Sequence, residues 1–171
     1  MAAAHSQISP LPIDSPDRRR LPPLLRRAWY SLNQAFRRRI AHLEITPDQF
    51  TVMRTLLESD PSGVRQRDLA HLMTSDPNTV ASLLERMENG GLILRKPHEK
   101  DRRAHRIQLA PLGKRKYSAA RQIAVELQSE VLAVLPENQR EPFLQNLTLV
   151  ADACRTSAES RSDRDQRIKS K

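Results

Sequence analysis

The stretch of sequence that decides the fold is residues 66–109, QRDLAHLMTSDPNTVASLLERMENGGLILRKPHEKDRRAHRIQL. Its first part predicts two short helices joined by a turn at Thr74-Ser75. The first helix covers residues 66–73, and the apolar side chains that we expect it to bury are Leu69, Ala70, Leu72 and Met73. The second helix covers residues 77–89. Its start is capped by Ser75 or Asp76, and it ends at Gly90-Gly91.

A β-hairpin is predicted directly after the second helix. Apolar and polar residues alternate in residues 92–95 and again in 104–109, as they do in strands with one buried face. The segment between them, 97–103 (PHEKDRR), is highly charged and suits an exposed hairpin tip. Two helices joined by a turn and followed by a hairpin form a winged helix, a fold whose second helix fits the major groove of DNA.

The residues on both sides of this unit predict further helices. Apolar residues at three- and four-residue spacing predict one helix near 22–43, another near 112–135 and a last one ending near Cys154. Thr46 and Gln49 have the spacing of a capping box, which starts a helix before the central unit. Aromatic residues make up only 4% of the chain and there are four glycines, which argues against an all-β sandwich or barrel. We therefore expect a mainly α fold with a small β-hairpin wing.

The chain, at 171 residues, has the size of one domain with appendages. We expect a disordered, proline-rich arm (1–21), a folded domain (22–154) and a disordered basic tail (155–171). Within the domain, the winged helix-turn-helix covers about 45–110, and helices cover about 22–43 and 111–154. The central unit is too small to cover the apolar sides of these helices, so we expect them to form the dimerisation region of a homodimer.

The charge of the chain and one helix face both indicate DNA as the partner. There are 29 Lys and Arg against 20 Asp and Glu, which gives a net charge of +9. Opposite the apolar stripe of helix 77–89 lie polar side chains that are suited to base edges: Asn78, Thr79, Ser82 and Arg86. An ordinary solvated helix face explains these four equally well. The hairpin favours DNA, because residues 92–116 hold nine basic residues and two acidic ones, Glu99 and Asp101.

These motifs resemble the MarR family of winged-helix regulators over about residues 22–154. The resemblance is carried by QRDLA (66–70), DPNTV (76–80), LERMENGGL (84–92), DRRAHRIQL (101–109) and Gly113. It implies that Asp101 orients the wing and that Arg103 enters the minor groove, where a narrow A·T-rich groove favours arginine. One departure is Ala110, since the family usually has a threonine before the long helix. The expected DNA-binding residues are Ser75, Asn78, Thr79, Ser82, Arg86, Lys100, Asp101, Arg102 and Arg103.

The resemblance also implies a homodimer on a pseudo-palindromic site, which releases DNA when a small molecule or an oxidant binds. Trp29 and Tyr30 could line a pocket for an aromatic ligand, and Arg26 or Arg27 could pair with its anionic group. The alternative is that Trp29 packs in the core and the arginine is a surface residue. Cys154 is a candidate oxidant sensor, but its position on the stripe of Phe143, Leu147 and Val150 favours an inert, buried thiol.

Other classes of function find no support in the sequence. One cysteine cannot form an internal disulfide, no apolar run reaches about 18 residues, and no secretory signal is visible, so we expect a cytoplasmic protein. The five histidines lack metal-ligand spacing, and no phosphate loop or catalytic motif occurs, so we expect neither metal, cofactor nor enzymatic activity. The expected function is a dimeric, sequence-specific transcriptional regulator, acting as a repressor that a small ligand releases. The alternatives are a redox regulator acting through Cys154 and an architectural DNA binder without an effector.

Overall fold

The computed structural model describes residues 20–73, 75–97 and 105–169, with side chains for 20–73, 75–96 and 105–158. Its elements are α1 (Leu21–Arg39), a 3-10 turn (Ala41–Leu43), α2 (Pro47–Glu58), β1 (Val64–Arg65), α3 (Gln66–Leu72), α4 (Pro77–Asn89), β2 (Ile93–Pro97), β3 (His105–Leu109), α5 (Pro111–Leu132) and α6 (Glu137–Lys169). The predicted mainly α fold with a hairpin wing is confirmed. Within the described ranges, every helix is too short or too polar to cross a membrane.

The start of α2 is fixed by the predicted capping box. The backbone N–H of Gln49 donates to Thr46 Oγ1 at 3.2 Å, and the backbone N–H of Thr46 donates to Gln49 Oε1 at 2.9 Å. Two amides that the helix itself cannot satisfy thus find partners. In α1, prolines occupy the first turn, where their missing N–H costs nothing. The predicted arm before residue 20 lies outside the described residues.

The sheet has three antiparallel strands in the order β1-β3-β2, so β3 is central. β3 pairs with β2 from Ile93↔Leu109 to Pro97↔His105, which is the predicted hairpin. It also pairs with β1 at Val64↔Ile107 and Arg65↔Arg106. The sequence analysis did not predict β1, because two residues are too few to show an alternating pattern.

The chain divides into two compact units, one up to Ile123 and one from Ala124 onward. The first unit has a core whose most deeply buried side chains are Ile40, Val52, Met53, Leu69, Val80, Leu84, Met87, Ile93 and Ile107. Leu72 was expected in this core, but it is 56% exposed. The reason is geometric: Leu69 and Ala70 define the buried side of α3, and Leu72 lies about 110° away from its centre on the helix.

Helix α5 begins with Gly113 in its first turn, directly against the loop before β2. A Cβ on Gly113 would collide with the carbonyl oxygen of Leu92 and crowd the side chain of Leu109. The backbone N–H of Ala110 donates to the same Leu92 carbonyl at 3.0 Å. Gly113 is therefore required by close packing of the helix on the hairpin base.

The expected disorder of residues 155–171 is wrong as far as Lys169, because α6 continues to that residue. No Pro or Gly follows Pro142 to end the helix. An ion pair of Arg155 with Asp152, at 3.0 Å and i,i+3 spacing, spans the expected end. The tail buries too little surface to nucleate structure alone, but adding turns to an existing helix needs no new nucleus.

Candidate DNA-binding surface

The start of α4 is fixed by Asp76, which settles the choice that the sequence left between Ser75 and Asp76. Asp76 Oδ1 accepts the backbone N–H groups of Asn78 and Thr79, both at 3.0 Å. The hydroxyl of Thr79 lies 3.4 Å from the same oxygen. The hydroxyl of Ser75 instead donates to the carbonyl of Met73 at 3.1 Å. The cap therefore holds the first turn of α4, where Asn78 and Thr79 lie, in a defined geometry.

One face of α4 packs and the other is open to solvent. The buried side chains are those predicted: Val80, Leu83, Leu84 and Met87. The exposed ones include the four predicted for DNA: Asn78, Thr79, Ser82 and Arg86. The structure thus brings these four together on one accessible face of a capped helix. That they contact DNA stays a prediction.

Glu85 shares this face, and the sequence analysis did not consider it. It is exposed, and at 3.6 residues per turn it lies about 20° from Asn78 and about 60° from Ser82 around the helix. A carboxylate there repels phosphates but can accept a hydrogen bond from the amino group of cytosine. The helical spacing alone was enough to find it.

Part of the positive charge in residues 92–116 is already paired within the chain. Arg95 Nε lies 2.9 Å from Glu88 Oε2, and Lys116 Nζ lies 3.5 Å from Glu44 Oε2. Arg106 donates to Ser62 Oγ at 2.6 Å and to the Gly63 carbonyl at 3.0 Å. Six of the nine basic residues of 92–116 lie in the described ranges, and three of these six have intramolecular partners. Among the described residues of that window, the basic side chains that remain exposed are Lys96, Lys114 and Arg115.

The tip of the wing lies outside the described residues. It includes four residues of the predicted DNA-binding set: Lys100, Asp101, Arg102 and Arg103. β2 and β3 end at the same level, since Pro97 pairs with His105.

Two carboxylates at the base of the wing have lowered pKa values. The backbone N–H of Ser62 and then its hydroxyl stabilise the ionised Asp60 carboxylate, with a smaller contribution from Arg106, and lower the pKa of Asp60. A hydrogen bond from Arg65 Nε, at 2.7 Å, is the main cause that lowers the pKa of Asp68. Both carboxylates border an open cleft of about 420 Å³, together with Arg65, Leu72 and Arg106. Two sets of charged contacts thus lie at this base: Asp60 with Ser62 and Arg106, and Asp68 with Arg65.

The candidate ligand residues lie on α1, away from this cleft. Arg26, Trp29 and Tyr30 are all exposed, and the three- and four-residue spacing places them side by side. Trp29 is 65% exposed, so the alternative that it packs in the core of its own chain is wrong. The exposed indole shows that the first helix buries other residues, chiefly Phe36.

Cys154 is exposed in the single chain, so its own chain does not bury the thiol. The stripe on which it lies is itself open to solvent, with Phe143 45% and Leu147 36% exposed. As for metals, no three His, Cys, Asp or Glu side chains come together as ligands in the part of the chain that the structure describes.

Comparison with known proteins identifies the family. The MarR family model matches residues 45–105. The transcriptional regulator HosA of Escherichia coli is 31% identical over 127 residues, which cover 71% of this chain and 93% of HosA. This relative, aligned over nearly its whole length, extends the match well beyond the central unit.

Solved structures show the same fold. MepR of Staphylococcus aureus, in a complex with DNA, has a TM-score of 0.73 at 24% identity and covers 80% of this chain and 99% of that one. The transcriptional repressor CouR, bound to a 23-mer DNA duplex, has a TM-score of 0.68 at 26% identity and covers 75% and 89%. Regulators of this kind bind DNA and are not enzymes. The sequence-based assignment is confirmed: the chain belongs to the MarR family of transcriptional regulators.

Proposed function

We propose that this regulator is a homodimeric repressor that binds a pseudo-palindromic operator and leaves it when a small aromatic or anionic ligand binds. The observation that carries the DNA-binding part is the exposed, capped face of α4. A helix of this kind enters the major groove with its N-terminal half against the base edges. The side chains that contact the bases there are Asn78, Thr79, Ser82 and Arg86. Ser75, at the start of the helix, contacts the DNA backbone.

The wing makes the second contact. Lys100 and Arg102 neutralise phosphates, Arg103 enters the minor groove, and Asp101 orients the tip, as the family resemblance implies. Phosphate contacts position the protein, whereas base contacts specify the sequence. The two surfaces of the protein therefore have different roles that experiments can separate.

The dimer is supported by apolar side chains that a single chain leaves in water. On α1, Leu24 and Leu25 are 41% and 36% exposed, and on α6, Phe143 and Leu147 are exposed to a similar extent. α1, α5 and α6 are the proposed dimerisation helices. A twofold dimer places two α4 helices in successive major grooves, about 34 Å apart. As an operator-binding protein it acts in the cytoplasm.

Release by a ligand requires that the ligand bind the DNA-incompetent dimer more tightly than the DNA-bound one. Arg26, Trp29 and Tyr30 form the proposed contact set, since they offer a cation and two aromatic surfaces on one side of α1. An aromatic carboxylate that binds there raises both the thermal midpoint and the operator Kd. If ligands stabilise the protein and none changes its DNA affinity, the protein is an effector-blind DNA binder.

A redox regulator is the second candidate, because the single chain leaves the Cys154 thiol exposed. Peroxide titration of operator affinity, with wild type and Cys154→Ser, decides between the two. A peroxide-induced loss of affinity that Cys154→Ser abolishes establishes redox control. An identical response of both proteins removes it.

The DNA-binding roles are tested by salt titrations on two duplexes: one selected by the protein from a random pool, and its scrambled version. We expect Asn78→Ala to cost about 1–3 kcal/mol on the selected duplex and little on the scrambled one. Asn89→Ala is the matched control, since it changes the same residue type at the opposite end of α4. Lys100→Ala or Arg102→Ala weakens both complexes and lowers the salt dependence by about one unit per lost phosphate contact.

Arg103→Ala is expected to lose most affinity on sites with a narrow, A·T-rich flank. The opposite pattern would reverse the assignment. In that pattern Asn78→Ala weakens both duplexes equally, and the wing variants lose only the selected one.

A further inference from the structure

The face of β3 that points away from the core is hydrogen-bonded to the turn between α2 and β1. Ile107 and Leu109 point into the core, so Arg106 and Gln108 lie on the other face of the strand. Arg106 Nη1 donates to Ser62 Oγ at 2.6 Å and to the Gly63 carbonyl at 3.0 Å, and Gln108 Nε2 donates to the Pro61 carbonyl at 3.2 Å. Two neighbouring side chains of one strand thus engage three consecutive residues of the turn.

The turn is built to receive them. Asp60 Oδ1 accepts the backbone N–H of Ser62 at 2.8 Å, and the Asp60 carbonyl accepts the N–H of Gly63 at 2.9 Å. Gly63 has φ +101°, and a Cβ there would lie 2.9 Å from Gln108 Cγ and from the Ile107 carbonyl oxygen. The Asp60 carboxylate lies 4.0 Å from Arg106 Nη1 and adds an attractive charge. The turn at 60–63 and β3 therefore pack against each other in a single defined arrangement.

This contact joins the two parts of the protein that the proposed function assigns to DNA. β3 follows directly on the wing tip, and Arg106 is its second residue, three positions after Arg103. The turn, on the other side, leads through β1 into α3 and then α4. The Arg106 side chain is 28% exposed, and its Nη1 is hydrogen-bonded to the turn. Arg106 therefore links the turn to β3.

We propose that Arg106, together with Ser62 and Asp60, is a positioning residue for DNA binding that fixes the direction in which the wing leaves the helix-turn-helix unit. It touches no DNA itself. Without it, the tip cations still carry their charge but meet the groove in many orientations, so affinity falls while the charge of the tip is unchanged. This inference rests on the proposed roles of α4 and the wing.

The test is a double-mutant cycle on the selected duplex at low salt. Because hydrogen bonds to charged groups contribute appreciably, we expect Arg106→Gln to raise Kd about tenfold. In a protein whose tip carries Lys100→Ala, Arg102→Ala and Arg103→Ala, the same change is expected to raise Kd less than about twofold, since no tip remains to be positioned. Arg106→Lys, which keeps a donor within reach of Ser62, restores most of the affinity.

Ser62→Ala is the second variant, in case Arg106→Gln unfolds the protein. It removes one acceptor from an exposed turn and is expected to give the same coupling with a smaller loss. Arg67→Gln is the charge-matched control, because Arg67 is exposed and its ion pair is with neighbouring Asp68.

Equal losses in the intact and the tip-less protein would overturn the proposal, whether they come from direct phosphate contact or from partial unfolding. No loss with either variant would overturn it as well. The proposed function fails separately, if the wild-type protein does not distinguish the selected duplex from the scrambled one.

Discussion

The ring of Tyr117 in α5 stacks on the ring of Phe50 in α2, with centroids 5.3 Å apart and planes inclined by 15°. Phe50 in turn meets the edge of Phe36 in α1, at 4.9 Å and 66°. The three rings join the flanking helices α1 and α5 to the first helix of the central unit. Their geometry makes this junction a defined contact, since aromatic pairs favour specific offsets and angles.

Tyr117→Ala is expected to lower the free energy of unfolding by about 1–3 kcal/mol, because it removes a partly buried ring and its stacking contact with Phe50. Urea denaturation followed by circular dichroism measures the change. Tyr117→Phe keeps the ring and serves as the control. If both variants lose the same stability, the hydroxyl and not the stack is what matters.

Asp76→Ala is expected to lower the free energy of unfolding by about 0.5–2 kcal/mol, because it removes the acceptor for two backbone amides of α4. Asp76→Asn keeps an oxygen acceptor at the same place and is expected to retain most of the stability. Thermal unfolding of the three proteins makes the comparison. Equal loss in both variants would mean that the charge of Asp76, and not its capping hydrogen bonds, stabilises the helix.

The pKa of Asp60 should lie below its ordinary value, and the Ser62 hydroxyl should be responsible for part of this shift. A lowered pKa means that the ionised carboxylate stabilises the folded state above about pH 4, and that this contribution is lost as the pH falls through the lowered pKa. NMR titration of the Asp60 carboxyl should show a higher pKa in Ser62→Ala than in wild type. The pKa in Ser62→Ala should stay below the ordinary value, since the backbone N–H of Ser62, the larger cause, is still present. An unchanged pKa of Asp60 would show that the Ser62 hydroxyl does not stabilise the ionised carboxylate.

Leu147→Glu is expected to weaken the dimer and operator binding together, because it places a charge on the apolar stripe of α6. Thr148→Glu adds the same charge about 100° away around the helix and is the matched control. Light scattering gives the oligomeric state, and titration with the selected duplex gives the affinity. A monomeric wild-type protein that still binds a full palindrome tightly would contradict the proposed dimer.

The sequence predicted those features that depend on neighbouring residues. The capping box of Thr46, the faces of α4 and the paired strands of the hairpin follow from local spacing, and all three are present in the structure. Features set by contacts distant in sequence were missed. One is the two-residue strand β1, which exists because Val64 pairs with Ile107. Another is the hydrogen bond from Arg106 to Ser62, an arginine that the sequence alone assigns to phosphate contacts.

The length of α6 was misjudged for a different reason. Composition measures whether a segment can bury apolar surface, and residues 155–169 cannot bury much. Whether such a segment is helical depends on what precedes it, and here a formed helix does. The exposure of Cys154 could not be predicted for a similar reason. An apolar stripe in the sequence does not reveal whether other parts of the same chain cover that stripe.

The level ends of β2 and β3 have a consequence for how this scaffold can diversify. Since Pro97 faces His105, residues added or removed between them alter the reach of the wing and leave every strand pair in register. The turn at 60–63 has no such freedom, because one added side chain at Gly63 already meets Gln108 and the backbone of Ile107. Changes in the length of the wing can therefore accumulate at one end of the sheet, while the turn at 60–63 keeps the other end constant.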